Sequence, residues 1–171
     1  MLEVGNEGLS YAEAKAHFSL WAMLAAPLLA GNDLRAMPDS TRRLLTNEEI
    51  IAVNQDPLGE QGTKIKDESN LEVWMKPLEG GARAVLLLNR WEQPARIETT
   101  AREIGLAEAS SYEMRDLWAR ETRTSETGRI AAEVPPHGAA VYRVRRVDAE
   151  TPARGDDDEQ AAASSGEETG R

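Results

Sequence analysis

Residues 45–62 read LTNEEIIAVNQDPLGEQG, and the period of the sequence changes within this stretch. Before it, apolar residues recur three and four positions apart, which is typical of the buried face of a helix. After Gly59, apolar and polar residues alternate, which is typical of strands. Asp56-Pro57-Leu58-Gly59 is a turn sequence between the two regimes. The stretch therefore predicts helices on its amino-terminal side and a sheet on its carboxyl-terminal side.

The amino-terminal part predicts two helices and one short strand. Residues 8–29 carry apolar side chains at helical spacing, with Ser10 and Glu13 as a capping box. Pro27 cannot continue a helix, so we expect the helix to end in the turn before it. Residues 28–30 then predict a very short buried strand. Residues 41–54 predict a second helix, with a cap or a break at Thr46 and Asn47.

The carboxyl-terminal part predicts an antiparallel sandwich of short strands. Residues 82–88 form a nearly continuous apolar run, which favours a strand buried on both faces. Residues 79–81 (Glu-Gly-Gly) are a hairpin turn signal before it. The predicted strands are residues 63–66, 71–76, 82–88, 95–99, 111–118, 121–124, 129–134 and 139–144.

Charge and composition limit the classes of partner and compartment. The net charge is −10, and residues 148–171 contain eight acidic and two basic residues. The remainder is mildly acidic, so we expect no nucleic-acid partner. No apolar run approaches the roughly 20 residues of a membrane span, so we expect no membrane partner. The first residues do not form a signal peptide, cysteine is absent, and the compartment stays unknown.

Residues 148–171 contain no aromatic side chain and no apolar side chain larger than alanine. Such a segment buries too little surface to offset the entropy of ordering it, so we expect a disordered acidic tail.

Five segments together resemble glycoside hydrolase family 27, the α-galactosidases. Residues 45–62 resemble the end of the last barrel helix and the turn into the carboxyl-terminal β-domain. Residues 1–6 (MLEVGN) resemble the segment after the seventh barrel strand, and residues 17–28 (HFSLWAMLAAPL) the seventh helix and the approach to the eighth strand. Residues 32–35 (NDLR) and 135–142 (PPHGAAVY) resemble the next loop and the last β-strand.

The resemblance implies an α+β chain: part of a (β/α)8 TIM barrel, then an antiparallel β-sandwich of Greek-key type. We expect barrel elements in residues 1–58, the sandwich in 59–147 and the tail in 148–171. The family hydrolyses terminal α-galactosides with retention, using two carboxylates on earlier strands in Lys-x-Asp and Arg-x-x-x-Asp patterns. This chain is expected to contain no catalytic residue, and only Met1 matches a substrate-contacting position. No metal or cofactor is implied, and complete members are often secreted.

Other candidate residues have ordinary structural interpretations. Arg35 and Asp39 satisfy Arg-x-x-x-Asp by spacing alone, and Asp33 is expected to cap a turn. Lys64-Ile65-Lys66-Asp67 lies in the β-region, outside the family's site. His17 and His137 are isolated and expected to be structural. Of the four tryptophans, Trp21, Trp74 and Trp118 are expected in the core, and Trp91 is expected to be exposed.

Two alternatives to a catalytic fragment remain. One is a non-catalytic, carbohydrate-associated β-module, which weak saccharide binding without turnover would favour. The other is a truncated gene product without its own function, which the upstream DNA would reveal. The partner expected for the complete enzyme is an α-galactoside oligosaccharide. We also expect association of this chain through an apolar helix face of Phe18, Trp21, Leu24 and Leu28.

Overall fold

The computed structural model describes residues 1–147, and the predicted disorder of residues 148–171 lies outside this range. Three α-helices precede eight strands, and single 3₁₀ turns lie at Leu34–Ala36 and Glu79–Gly81. The helices are α1 (Tyr11–Met23), α2 (Asp39–Leu45) and α3 (Glu48–Asn54). The strands are β1 (Thr63–Glu68), β2 (Leu71–Pro77), β3 (Arg83–Asn89), β4 (Ala95–Thr100), β5 (Ser111–Asp116), β6 (Glu121–Ser125), β7 (Arg129–Val134) and β8 (Ala139–Val147).

Helix α1 begins as the capping box predicts. The Ser10 hydroxyl accepts from the Glu13 amide at 3.3 Å, and the Glu13 carboxylate accepts from the Ser10 amide at 2.8 Å. The helix ends at Met23, in the turn before Pro27, as the sequence predicts. Ala25 adopts a φ of 49°, which breaks the helix before Pro27 is reached.

The short strand predicted at residues 28–30 is reduced to one parallel bridge, between Leu2 and Ala30. The Leu2 amide donates to Leu29 O at 2.8 Å, and the Gly31 amide donates to Leu2 O at 3.1 Å. The prediction that this strand is buried is wrong, because Leu29 is 60% exposed and no further strand among residues 1–147 covers it.

The break predicted at Thr46 and Asn47 is confirmed. Helix α2 ends at Leu45, and Asn47 caps α3 by accepting from the amides of Glu49 and Ile50. The Asn47 side chain is buried and also donates to Leu117 O at 3.0 Å. The Asn47 side chain at this break therefore links α3 to the β-region.

The strands form an antiparallel sandwich, which confirms the predicted class. One sheet has the order β1-β2-β3-β8-β5-β6, and β4 pairs with β7 in a second sheet. Strand β8 inserts between β3 and β5, although it follows both in sequence. The Glu79–Gly81 turn joins β2 to β3, with the Leu78 amide donating to Ala82 O.

The six-stranded sheet has apolar side chains on both faces, and each face packs against a different layer. On one face, Leu86 and Val141 pack in a cluster with Phe18 of α1 and Ile50 of α3. The other face packs against β4 and β7 in a second cluster that includes Val73, Val85, Leu87, Ile97, Met114, Ile130, Val134 and Val144. Strand β3 is central and therefore buried on both faces, as the sequence predicts.

The apolar face of α1 expected to mediate association is not free at Phe18, which is 1% exposed. The six-stranded sheet covers this side chain, and Trp21 packs partly buried against the same cluster. Within residues 1–147, no helix is long and apolar enough to cross a membrane.

Candidate functional site

The candidate site is the edge at which the two bridged segments end. Because Leu2 and Ala30 are paired in parallel, the residues that follow them, 3–6 and 31–35, leave the bridge on the same side. In α/β barrels, active sites lie at the carboxyl ends of the parallel strands. The chain therefore places two neighbouring loops at the edge where barrel chemistry occurs.

The first loop is held close to the second by a glycine. Gly5 has a φ of 92°, and a Cβ atom there would lie 2.7 Å from Thr41 Cγ2 and 2.9 Å from Asn32 Nδ2. Asn6 Nδ2 donates to the Glu3 carboxylate at 2.7 Å and closes the loop on itself. The buried Oδ1 of Asn32 accepts no hydrogen bond from the described residues.

Met1 directly precedes the bridged Leu2 and is 73% exposed. It is next to Gly31, where an added Cβ would lie 3.5 Å from Met1 Cβ and 2.6 Å from Leu2 O. A side chain at residue 31 would therefore collide with the backbone that carries Met1. The predicted sugar contact of Met1 stays a prediction.

The carboxylates of the second loop have structural partners. Asp33 accepts from the Arg35 amide at 2.9 Å and from its guanidinium at 3.0 and 2.8 Å, which lowers the pKa of Asp33. Asp39 pairs with Arg42 at 2.9 Å instead of with Arg35. The interpretation of Asp33 as a turn cap is confirmed. The Lys64 ammonium likewise pairs with Asp67 at 2.6 Å, within β1.

The two histidines are separate. His17 Nε2 accepts from the Glu3 amide at 3.3 Å, and its ring contacts Trp21 with the centroids 4.7 Å apart and the planes tilted by 33°. Burial lowers the pKa of His17 more than nearby Glu3 raises it. His137 pairs with Glu92 at 3.1 Å. In the part of the chain that the structure describes, no group of three possible ligands could hold a metal ion.

The tryptophans follow the predicted division. Trp21, Trp74 and Trp118 pack partly buried against the helix-side cluster, and Trp91 is 44% exposed. The indole N–H groups of the three packed rings donate to Pro27 O, the Glu72 carboxylate and Ser19 Oγ, respectively. The Trp91 backbone is held by Asn89 and by the amide of His137.

Two clefts flank the seam between helices and sheet. The larger, about 710 Å³, lies between α3 and strands β5 and β8. Within it Arg115 pairs with Glu49 at 2.7 Å, and Arg145 pairs with Glu113 at 2.8 Å. These pairs hold α3 and the strands together.

The smaller cleft, about 370 Å³, contains a residue that sequence reasoning missed. Glu72 is 3% exposed and accepts from Trp74, Arg90 and Lys64. The available signal was its position two residues before Trp74, on the same strand face as a ring expected in the core, where a charged residue needs partners.

Comparisons with known proteins agree with this architecture. Residues 68–144 match the family described as "Alpha galactosidase C-terminal beta sandwich domain", and residues 1–56 match "Alpha galactosidase A". An α-galactosidase of Cyamopsis tetragonoloba is 46% identical over 142 residues, 83% of this chain and 34% of that protein. Among solved structures, α-galactosidase I of Mortierella vinacea superposes with a TM-score of 0.81 at 31% identity, over 85% of this chain and 38% of that one.

A third similar protein was solved with a sugar. The α-galactosidase of Saccharomyces cerevisiae with raffinose superposes with a TM-score of 0.76 at 25% identity, over 85% of this chain and 46% of that chain.

Helices and a bridged strand pair, followed by a β-sandwich, match the carboxyl-terminal architecture of barrel-type glycoside hydrolases. The chain belongs to the melibiase α-galactosidases of glycoside hydrolase family 27 and corresponds to a fragment of such an enzyme that includes its carboxyl-terminal β-sandwich. It spans about a third of the length of the curated relatives it matches.

Proposed function

We propose that these residues serve a retaining α-galactosidase that removes terminal α-linked galactose from oligosaccharides. The proposal is supported chiefly by the 46% identity to a named α-galactosidase over 142 residues. The parallel bridge of Leu2 with Ala30 adds support, because it fixes the residue directly after Met1 beside the second bridged segment. Raffinose, present in the yeast relative's structure, contains such a galactose and is the expected type of substrate.

The contribution of this chain is to shape one side of the sugar site. A retaining glycosidase needs two carboxyl groups about 5 Å apart, one as nucleophile and one as acid and base. Asp33 and Asp39, which follow the bridged Ala30, are each paired with an arginine, and the Glu3 carboxylate accepts from Asn6. We propose that the two reacting groups come from barrel strands outside these 171 residues. Met1 would offer an apolar contact to the ring, held in place by the bridge.

A chimera tests this division of roles. Residues 1–147 replace the matching third of the Cyamopsis tetragonoloba enzyme, and hydrolysis of an aryl α-galactoside is measured. We expect turnover by the chimera and none by the 171-residue chain alone. Turnover by the highly purified chain, abolished by a substitution within it, would contradict the proposal.

The role of Met1 is tested in the same chimera. Met1→Ala should raise KM, because the ring loses an apolar contact made in the bound state. Leu34→Ala, at an exposed residue of the neighbouring loop, is the matched control and should leave KM unchanged. Equal effects of the two substitutions on KM would contradict a sugar contact of Met1.

A further inference from the structure

The smaller cleft is a groove between α1 and the first three strands. Its volume of about 370 Å³ lies in the range of about 300–1,000 Å³ typical of small-molecule sites. It lies at the seam between the helical and sheet parts, a common location for such sites. The side chains used below are His17 and Leu20 of α1, Lys64 of β1, Glu72 and Trp74 of β2, and Arg90 directly after β3.

The Trp74 ring has a fixed orientation in this groove. Its indole N–H donates to Glu72 Oε2 at 2.8 Å. Glu72 is itself 3% exposed and accepts from Arg90 Nη1 at 2.9 Å and from Lys64 Nζ at 3.3 Å. A ring fixed through a buried, fully engaged carboxylate loses little freedom when a ligand stacks on its face.

The rim of the groove keeps unused hydrogen-bonding capacity. The Arg90 side chain is 58% exposed, and its guanidinium has five N–H groups. The structure shows one side-chain hydrogen bond of Arg90 to the described residues, to Glu72. The His17 ring uses Nε2 to accept from the Glu3 amide, which leaves Nδ1 as the position of its proton.

The charges of the groove cancel. Lys64 and Arg90 are balanced by Glu72 and by Asp67, which pairs with Lys64 at 2.6 Å. A balanced site has little preference for an anion or a cation. An apolar aromatic face beside outward N–H donors instead matches an uncharged ring with C–H groups on one face and hydroxyls at its edge.

From this geometry we propose that the groove of His17, Leu20, Trp74 and Arg90 binds a neutral hexopyranoside ring. The C–H face of the sugar stacks on Trp74 and Leu20, and its hydroxyls accept from Arg90. No residue of 1–6 or 31–35 lines this groove, and the groove contributes no reacting group. It goes beyond the proposed hydrolysis and does not depend on it.

Titration of the complete chain with methyl α-D-galactopyranoside tests the proposal. The four tryptophans give separate indole N–H signals in a ¹⁵N-labelled sample, assigned from single Trp→Phe variants. We expect the Trp74 signal to shift in a saturable way, with a Kd on the order of 1–10 mM for a ligand of about 13 non-hydrogen atoms. The Trp118 signal should stay in place.

Three variants test whether sugar binding in the groove causes the shift of the Trp74 signal. Arg90→Lys keeps the charge beside Glu72 but removes the planar fork, and should raise the Kd about tenfold. Leu20→Arg extends a long side chain across the groove and should abolish the shift. Trp91→Ala, at an exposed ring outside the groove, is the control and should bind like the parent.

No saturable shift up to ~100 mM sugar, a concentration that saturates a millimolar site, would overturn the proposal. A shift that persists unchanged in both Arg90→Lys and Leu20→Arg would also overturn it. If one of these two variants is unfolded, as a spectrum without dispersion would show, the other variant tests the proposal. Because binding is read on the chain itself, failure here is distinguishable from a failure of hydrolysis in the chimera.

Discussion

At the scale of single residues, Asn47 joins two parts of the molecule through one side chain. Its Oδ1 caps α3, and its Nδ2 donates to Leu117 O across the seam. The residue is 4% exposed, so neither bond is replaced by water when the side chain is lost.

Asn47→Ala should therefore lower the free energy of unfolding by about 2 kcal/mol, from the lost cap and the unpaired carbonyl. Urea unfolding of the complete chain measures this. Asp33→Ala removes the side-chain cap of an exposed 3₁₀ turn and is the control, with a clearly smaller expected loss. Equal losses would mean that the bond to Leu117 O contributes nothing.

Gly5 and Gly8 offer a matched pair of substitutions in one loop. Both have positive φ angles, 92° and 102°, so alanine is strained at either position by about 1–2 kcal/mol. Only at Gly5 would the new Cβ meet neighbours, Thr41 Cγ2 at 2.7 Å and Asn32 Nδ2 at 2.9 Å. At Gly8 nothing lies within 4 Å.

Gly5→Ala should consequently destabilise the chain more than Gly8→Ala, measured as the difference in urea-unfolding free energy. It should also move the loop that carries Met1, seen as larger amide chemical-shift changes in residues 2–4. Similar shifts in the two variants would show that the loop absorbs the added methyl group without moving.

At the scale of elements, α3 and β5 are linked by a two-point ion pair. Arg115 Nε and Nη2 donate to Glu49 at 3.0 and 2.7 Å. The hydrogen bond from Arg115 lowers the pKa of Glu49. As pH falls, the unfolded chain protonates this carboxylate first. The stabilisation is thus complete above its ordinary pKa of about 4.3 and is lost as pH falls through the folded value.

Glu49→Gln removes the ion pair, so the variant should lose less stability than the parent as pH falls. The stability gap between parent and variant is expected to be largest near pH 7 and to shrink toward about pH 3, measured by urea unfolding across that range. Glu48→Gln removes the same charge one position earlier and is the control. A gap that stays constant with pH would exclude the ion pair as its source.

The sequence predicted those elements well whose boundaries or burial depend on neighbouring residues in the chain. The Ser10–Glu13 box starts α1, and the Asn47 cap divides residues 39–54 into two helices. The apolar run that becomes β3 correctly predicted burial on both faces. By contrast, the exposure of Leu29 depends on which strands lie beside it, and no nearby residue encodes that.

Contacts between residues far apart in sequence could not be predicted, because local patterns do not specify which strands become neighbours. The insertion of β8 between β3 and β5 joins Arg83 with Val144 and Ser111 with Val147. The groove around Glu72 combines side chains from α1 and three strands. The sugar contact of Met1 was predicted only through family resemblance, since an exposed methionine has no periodic signature.

At the scale of the whole molecule, the predicted boundary at residue 58 stays a proposal, and the packing gives it a sharp test. The sequence predicted an antiparallel sandwich in residues 59–147. One face of the six-stranded sheet, however, packs on Phe18, Ile50 and their neighbours. Residues 60–147 without the helices would leave Leu86 and Val141 on that face uncovered.

We therefore expect residues 60–147 alone to associate and to bind a hydrophobic dye more strongly than residues 1–147. Sedimentation and dye fluorescence of the two polypeptides measure this. The double variant Leu86→Thr/Val141→Thr, made in the shorter polypeptide, is the control and should reduce the association. A soluble, cooperative and monomeric 60–147 polypeptide would instead support an independent sandwich.

The central place of β8 has a consequence for how the chain is made. The ribosome completes β3 and β5 long before it reaches Val147, and each waits with one unpaired edge for the strand that will separate them. The hairpins β1-β2-β3 and β5-β6 can form early, but they join only when nearly all of the described residues have emerged. Until then the growing chain offers two open sheet edges to other chains, so slow elongation near its end prolongs the interval in which aggregation competes with folding.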